Sequence, residues 1–229
     1  MISIVLHLVL AAATSVAVLA AFRIWKKQKL DNNALVKYYV IFFVFSFLYH
    51  LCLSLPYFFS FGNLFLTAWG YIIGISCIFL MIFFVFKILA YLFGFSVNKI
   101  RGFETATLLV GVLVFFIQIF DLRLPIVLAS GYIVWNNNLL AGGLTFAATF
   151  CGSLAFVFSF VNNLDKAENN IEKIKLYFLT VGTLFIGISS IYFVSRTLIF
   201  LQLSFIFHFL AILFFSGAFL AHQRIKIKL

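Results

Sequence analysis

The chain has 229 residues, of which 65% are apolar and only 10% charged, and its 34 phenylalanines are too many for a water-soluble fold to bury. This composition excludes a soluble globular protein and predicts an integral membrane protein. The net charge of +10 comes from basic residues between the apolar runs, which is typical of membrane orientation signals and argues against nucleic-acid binding.

Seven apolar runs are each long enough to cross a bilayer, since a transmembrane helix needs about 20 residues. The runs cover residues 3–24, 38–60, 64–94, 105–121, 139–161, 176–195 and 198–221. The sequence therefore predicts an all-α integral membrane fold in which residues 1–229 form a single domain of seven transmembrane helices. We expect residues 121–138 to form an interfacial segment rather than a further span, with Tyr132 and Trp135 at headgroup level.

The distribution of basic residues predicts the orientation of the helices. If the N-terminus lies outside, fourteen lysines and arginines lie on the inner side and only Arg123 and Arg196 on the outer side, as the positive-inside rule requires. The first run has no basic segment before it, so we expect it to stay as helix one rather than to be cleaved as a signal peptide. We therefore expect a multi-pass protein of the plasma (cytoplasmic) membrane, with its N-terminus outside and its C-terminus inside.

The two halves of the chain share short stretches of sequence. A shift of 135 residues without a gap places AAT at 12–14 on AAT at 147–149, and LPYFFS at 55–60 on SIYFVS at 190–195. The same shift lays helices one to three over helices five to seven. This pattern suggests a 3+1+3 plan of parallel repeats, with helix four as the connector.

Small residues mark faces on which helices can approach closely inside lipid. They recur at intervals of four in helices one, three and five, as Ala13, Ala17 and Ala21, as Gly70 and Gly74, and as Ala147, Cys151 and Ala155. We expect these faces to set which helices are in contact.

No stretch of the sequence carries a recognisable catalytic or metal-binding motif. The six acidic residues lie in the predicted loops or at helix ends, so we expect no carboxylate inside the membrane to relay protons or to bind sodium. Cys52, Cys77 and Cys151 are too scattered for a disulfide framework or a zinc site. We expect Lys87 to snorkel from the inner end of helix three. The sequence therefore predicts a protein without enzymatic activity, bound metal or cofactor.

Helix two carries a polar stripe, formed by Ser46, His50, Ser54 and Tyr57 at helical offsets of 0, 4, 8 and 11. His50 follows Lys37 by thirteen residues, or about 20 Å of helix, which places it near the membrane middle. An imidazole at that depth is costly, which favours a function or a specific partner. Other helices offer polar residues that we expect to line the same ligand-binding cavity: Thr67, Tyr71, Thr145, Thr149, Ser189, Tyr192, Ser204 and His208.

Two other interpretations of these polar residues stay open. Serine and threonine can bond to their own helix, and the histidines can bond between helices without any ligand. Two central histidines could also be axial ligands of a haem, as in b-type membrane cytochromes, although no further ligand spacing supports this. His7 and His222 lie near helix ends, where we expect them to be in contact with water.

The predicted topology resembles that of two known families. It is similar to microbial rhodopsins, but residues 198–221 contain no lysine that could bind retinal as a Schiff base. It also resembles the SWEET sugar facilitators in length, orientation and 3+1+3 plan. Helix-bending prolines should then recur in both halves, whereas Ile191 stands at the repeat position of Pro56. The resemblance is therefore one of topology.

From these observations we expect a non-enzymatic multi-pass membrane protein that binds and passes a small uncharged or weakly polar molecule through a cavity near the membrane midplane. Two alternatives stay open: a sensor or receptor module that signals through a separate partner, and an accessory subunit of a membrane complex. The expected partners are the lipid bilayer, the small-molecule ligand, and a second copy of the chain or a signalling protein. Nucleic acid is not an expected partner.

Overall fold

The computed structural model describes residues 2–27, 34–93, 97–165, 167, 169–195 and 197–227. Seven long helices account for nearly all of the secondary structure in these residues. They are α1 (Ile2–Lys27), α2 (Ala34–Phe59), α3 (Leu64–Phe93), α4 (Val97–Phe120), α5 (Leu139–Leu164), α6 (Asn170–Ser189) and α7 (Leu198–Ile227). All seven are long and apolar enough to cross a membrane, which confirms the prediction of an all-α fold with seven apolar helices.

Two helices begin a full turn or more before their apolar runs, by at least six residues. α4 begins at Val97 rather than at residue 105, and α6 begins at Asn170 rather than at residue 176. The side chain of Asn169 caps α6 by accepting a hydrogen bond from the backbone N–H of Glu172 at 2.9 Å. A 3-10 turn, Ser190–Phe193, continues α6 at its other end. The predicted end of helix three and part of the charge count fall on residues outside those that the structure describes, namely Gly94, Lys29, Lys166, Arg196 and Lys228.

Six of the helices form a ring. α1, α2, α3, α5, α6 and α7 are neighbours in that order, and α1 contacts α7 to close the ring. α4 lies outside the ring, against α3 and α5, and its apolar span is the least buried of the seven, at 22%. The helix predicted to be a connector is therefore peripheral to the bundle interior.

α2 and α3 approach each other closely at Gly70. A Cβ added there would lie 2.3 Å from the carbonyl oxygen of Cys52 and 2.5 Å from Cγ of Pro56, so a larger residue would push the helices apart. The small face predicted for helix five is wrong, because α5 turns Gly142 and Gly152 inward instead. The residues of the predicted face are exposed, namely Ala147, Cys151 and Ala155.

The segment between α4 and α5 folds against one end of the ring. Its two strands, β1 (Ile126–Val127) and β2 (Ile133–Val134), pair in antiparallel fashion, and Gly131 takes a φ of +79° in the turn between them. β2 is buried, and the backbone N–H of Ile133 donates to Oγ of Ser3 on α1 at 2.9 Å. The segment is therefore a folded hairpin that is anchored to the bundle.

Asp121 ties the two ends of this segment together. Its Oδ2 lies 2.6 Å from a guanidinium nitrogen of Arg123 and accepts a hydrogen bond from the side chain of Asn138 at 2.7 Å. Asn138 in turn caps α5 by accepting from the backbone N–H of Leu140 at 2.8 Å. The hydrogen bonds from Arg123 and Asn138 lower the pKa of the Asp121 carboxyl.

One carboxylate lies inside an apolar span, contrary to the expectation from the sequence. Because α4 begins at Val97, Glu104 falls within the span Ile100–Phe120 rather than before it. Its side chain is buried and lies 2.8 Å from Nζ of Lys87 on α3. Lys87 therefore pairs with α4 rather than only snorkelling, and the pair satisfies a charge that would be costly to bury alone.

Candidate functional site

The ring encloses a cavity of about 90 Å³, several times the space that one water molecule needs. Residues from all six ring helices line it. On α2 the lining runs from Tyr39 to His50, and on α7 from Ser204 to Phe215. Each of these intervals corresponds to about 16 Å of helix. The cavity is therefore elongated along the axis of the bundle.

The two ends of the cavity differ in polarity. The end nearer the hairpin is lined by histidine, tyrosine, serine and threonine side chains. The opposite end is lined by Tyr39 and by apolar side chains, including Phe42, Ile88, Phe156, Phe160, Leu179 and Phe215. No Asp, Glu, Lys or Arg among the described residues lines either end. The cavity is therefore amphipathic and has no charged group.

Three histidines from three helices meet at the polar end. Nδ1 of His7 lies 3.2 Å from Nδ1 of His50, and Nε2 of His50 lies 3.1 Å from Nε2 of His208. Nε2 of His7 lies 3.2 Å from the hydroxyl of Tyr192, and that hydroxyl also accepts a hydrogen bond from Nε1 of Trp135. We call these five side chains the histidine chain. It connects α1, α2, α7, the turn after α6 and the hairpin.

Neighbouring aromatic rings hold the histidine chain in place. Phe205 packs edge-on against His7, with 4.8 Å between ring centroids, and Tyr49 lies 4.8 Å from His50. Tyr71 stacks on Trp135 at 4.5 Å. These contacts leave His7 and His50 only 2% and 1% exposed.

The three imidazoles are neutral in this arrangement. Burying a charge is costly unless an opposite charge accompanies it, and no carboxylate in the described part of the chain contacts them. A neutral imidazole carries one N–H donor and one acceptor nitrogen. The site therefore offers hydrogen bonds to an uncharged molecule and provides no counter-ion for a charged one.

The arrangement of the histidines does not fit a haem. Two axial ligands lie on opposite sides of the iron, so their nitrogens are separated by about 4 Å at metal–nitrogen distances near 2 Å. The facing nitrogens of His50 and His208 are 3.1 Å apart, which is a hydrogen-bond distance. Among the described residues, no group of three or more His, Cys, Asp or Glu side chains is arranged to hold a metal ion.

Six of the twelve predicted site residues line the cavity: His50, Thr149, Ser189, Tyr192, Ser204 and His208. The other six are packed elsewhere: Ser46, Ser54, Tyr57, Thr67, Tyr71 and Thr145. Three of these donate to the carbonyl four residues earlier in their own chain, at 2.7 to 2.8 Å, namely Ser54, Thr67 and Thr145. Local bonding of this kind removes the hydroxyl proton from any role towards a ligand.

Two members of the histidine chain were not predicted. His7 was expected to be in contact with water, and this expectation is wrong because the hairpin covers this end of the ring. Trp135 was expected at headgroup level; its depth in the membrane stays a prediction, but its side chain is buried inside the protein. A signal for His7 is present in the sequence. Ser3, His7 and Thr14 stand at offsets of 0, 4 and 11, which is a polar stripe of the same kind as that of helix two, and all three are buried.

Comparison of the chain with protein-family models, with curated proteins and with solved structures finds no match. The function is therefore inferred from the cavity and its lining residues.

Proposed function

We propose that the protein is a non-enzymatic multi-pass membrane protein that binds a small uncharged or weakly polar molecule in this cavity and passes it across the bilayer. The observation that supports binding best is the histidine chain itself. Three neutral imidazoles beside an internal space are costly to keep in an apolar bundle, and a bound molecule that uses their hydrogen-bonding capacity accounts for them.

We propose the orientation from the basic residues of the sequence. Fourteen on one side against two on the other favour an outer N-terminus and an inner C-terminus in the plasma membrane. In that orientation the hairpin covers the outer end of the ring, and the apolar end of the cavity points towards the cytoplasm. The peripheral position of α4 supports the proposed 3+1+3 repeat, in which α4 connects two groups of three helices.

Passage would require the hairpin end of the cavity to open. Tyr192 bonds to Trp135 there, and Trp135 stacks on Tyr71, so these three side chains join the cavity wall to the hairpin. Opening would break the contact between Trp135 and Tyr192, which is one hydrogen bond in the histidine chain. The same residues would then control binding and release.

Two glycines of α5 allow a matched test. A Cβ at Gly152 would lie 3.7 Å from Ile82 on the cavity wall, so Gly152→Leu fills the cavity. A Cβ at Gly143 would meet nothing within 4 Å, so Gly143→Leu projects away from the bundle and makes the same change in helix propensity. The purified chains are extracted with solvent for mass spectrometry of bound molecules, and vesicles containing them are assayed for glycerol uptake by light scattering.

We expect the wild-type chain and Gly143→Leu to retain a bound molecule and to pass glycerol, and Gly152→Leu to lose both. A bound molecule that is lost in Gly152→Leu without any glycerol uptake in the wild type would contradict passage and favour the sensor or receptor module. Identical behaviour of the three chains in both assays would contradict the cavity proposal and favour the accessory subunit.

A further inference from the structure

The histidine chain has one more hydrogen-bond donor than it has hydrogen-bonded contacts between its members. Its four contacts join Trp135 to Tyr192, Tyr192 to His7, His7 to His50, and His50 to His208. Each of the five side chains brings one proton on nitrogen or oxygen when the histidines are neutral. One donor is therefore left over, whichever way the bonds run.

Trp135 sets the direction of the bonds. An indole N–H can only donate, so Tyr192 accepts from Trp135. If Tyr192 then donates to Nε2 of His7, His7 donates from Nδ1 to His50, and His50 donates from Nε2 to His208. In the reverse direction Tyr192 would accept twice, and its own proton would have no acceptor among the described residues. The first direction is therefore favoured, because it satisfies both Tyr192 and His7.

In that direction the unused donor is Nδ1–H of His208. Nε2 of His208 accepts from His50, and Nδ1 makes no hydrogen bond to any described residue. His208 lines the cavity and is the least buried of the three histidines. His208 is partly buried, and a donor left without a partner where it meets the cavity is costly, so an occupant that carries an acceptor atom is favoured at this point.

The hydroxyls around His208 do not supply that acceptor in their present bonds. Ser204 donates to the carbonyl of Ser189 at 2.6 Å, and Ser189, Ser190, Thr149 and Thr183 donate to carbonyls of their own segments. No hydrogen bond to Nδ1 of His208 arises from any of them. The apolar half of the cavity begins directly beyond this polar end and extends towards Tyr39.

We propose that the occupant is an uncharged single-chain amphiphile with a carbonyl oxygen. The carbonyl accepts a hydrogen bond from Nδ1–H of His208, and the apolar chain lies along the phenylalanine-lined half of the cavity. This inference rests on the proposed function. A cation is disfavoured because no carboxylate among the described residues lines the cavity.

The tautomer of His208 tests the proton count without any ligand. Full-length chain labelled with ¹⁵N at histidine is examined by NMR in lipid nanodiscs, and His208→Gln identifies the His208 signals. We expect the proton on Nδ1 of His208 and on Nε2 of His50. A proton on Nε2 of His208 would overturn the inference and would leave the proposed function standing.

Three probes of equal chain length test the ligand class: a medium-chain methyl ketone, the corresponding alkane and the corresponding alkylammonium ion. Binding is measured as the rise in thermal unfolding temperature at equal mole fraction in the micelle. If the hydrogen bond to the ketone is as strong as one between membrane helices, the ketone should bind about three- to fivefold more tightly than the alkane. We expect no stabilisation by the ammonium ion.

His208→Phe removes the donor and keeps a planar ring, so the preference for the ketone over the alkane should disappear. Thr107→Val on α4, which is outside the ring, is the control and should keep the preference. Equal binding of ketone and alkane to the wild type would overturn the inference while the cavity proposal stands. Failure of all three probes to bind the wild type would overturn both. If His208→Phe does not fold, Trp135→Phe is used instead. It removes the indole N–H that sets the direction of the hydrogen bonds, so it should weaken the preference for the ketone over the alkane.

Discussion

Replacing His50 by leucine is predicted to destabilise the bundle more than replacing His208, which lies at the end of the histidine chain. His50 is the central imidazole, with hydrogen bonds of 3.2 Å to His7 on α1 and 3.1 Å to His208 on α7. His50→Leu removes both bonds and leaves one polar atom without a partner on each neighbour. His208→Leu removes a single bond and leaves only one such atom.

The magnitude follows from these counts. An interhelical hydrogen bond in a membrane protein contributes about 0.6 kcal/mol, and a buried polar atom left without a partner costs about 1 kcal/mol at the low end. We therefore expect His50→Leu to lower the free energy of unfolding by about 3 kcal/mol and His208→Leu by about 1.5 kcal/mol. The free energy of unfolding of His50→Gln should be higher than those of both leucine variants and lower than that of the wild type, because an amide supplies both a donor and an acceptor.

The free energies are measured by titrating SDS into mixed micelles and following the loss of helical circular dichroism. Thr107→Val is the control, since its hydroxyl bonds only to the carbonyl of Phe103 on its own helix. If the free energy of unfolding of His50→Leu is equal to or higher than that of His208→Leu, the central position of His50 in the histidine chain is refuted.

Three further predictions concern the fold. Gly70→Ala should lower the free energy of unfolding by about 3 kcal/mol, because its Cβ would meet a backbone carbonyl of α2 at 2.3 Å. The control Gly102→Ala, whose Cβ meets nothing within 4 Å, should leave that free energy unchanged or raise it by up to about 1 kcal/mol in the same titration. A reporter fused after Leu229 should lie in the cytoplasm, and an external one would refute the orientation. Because the pKa of Asp121 is lowered, its contribution to stability is present above the ordinary aspartate pKa and is lost as the pH falls through the lowered value. The thermal unfolding temperature of Asp121→Asn should therefore depend less on pH below about 4 than that of the wild type.

The number and type of helices could be predicted from the sequence because burial in lipid requires a long apolar run for every span. The starts of α4 and α6 could not be predicted, because hydropathy does not register the polar turns with which these helices begin. Asn169 extends α6 in this way, and the early start of α4 brings Glu104 into the span, where Lys87 makes its burial tolerable.

Helical periodicity could place His50 and His208 on inward faces, but it could not show which inward residues reach the cavity. Ser54 shares the face of His50 on α2, and Thr145 shares the face of Thr149 on α5, yet neither Ser54 nor Thr145 lines the cavity, and both bond back to their own helices. The position of His7 depended on a tertiary contact that no helix pattern contains. The hairpin extends the protein interior beyond the first turn of α1, so a residue near a helix end became a buried one.

The ring helices place polar and apolar residues in a consistent axial order, and this order bears on the proposed transport. α5 has Thr149 towards the hairpin and Phe160 at the other end of the cavity, and α7 has Ser204 and His208 towards the hairpin and Phe215 at the other end. A molecule whose oxygen bonds to His208 is therefore held in one orientation. Moving that oxygen into the phenylalanine-lined half would cost about 1 to 3 kcal/mol wherever the oxygen lies beyond the reach of the Tyr39 hydroxyl. The same cost opposes each crossing event, so flux is expected to be slow compared with the exchange of the bound molecule.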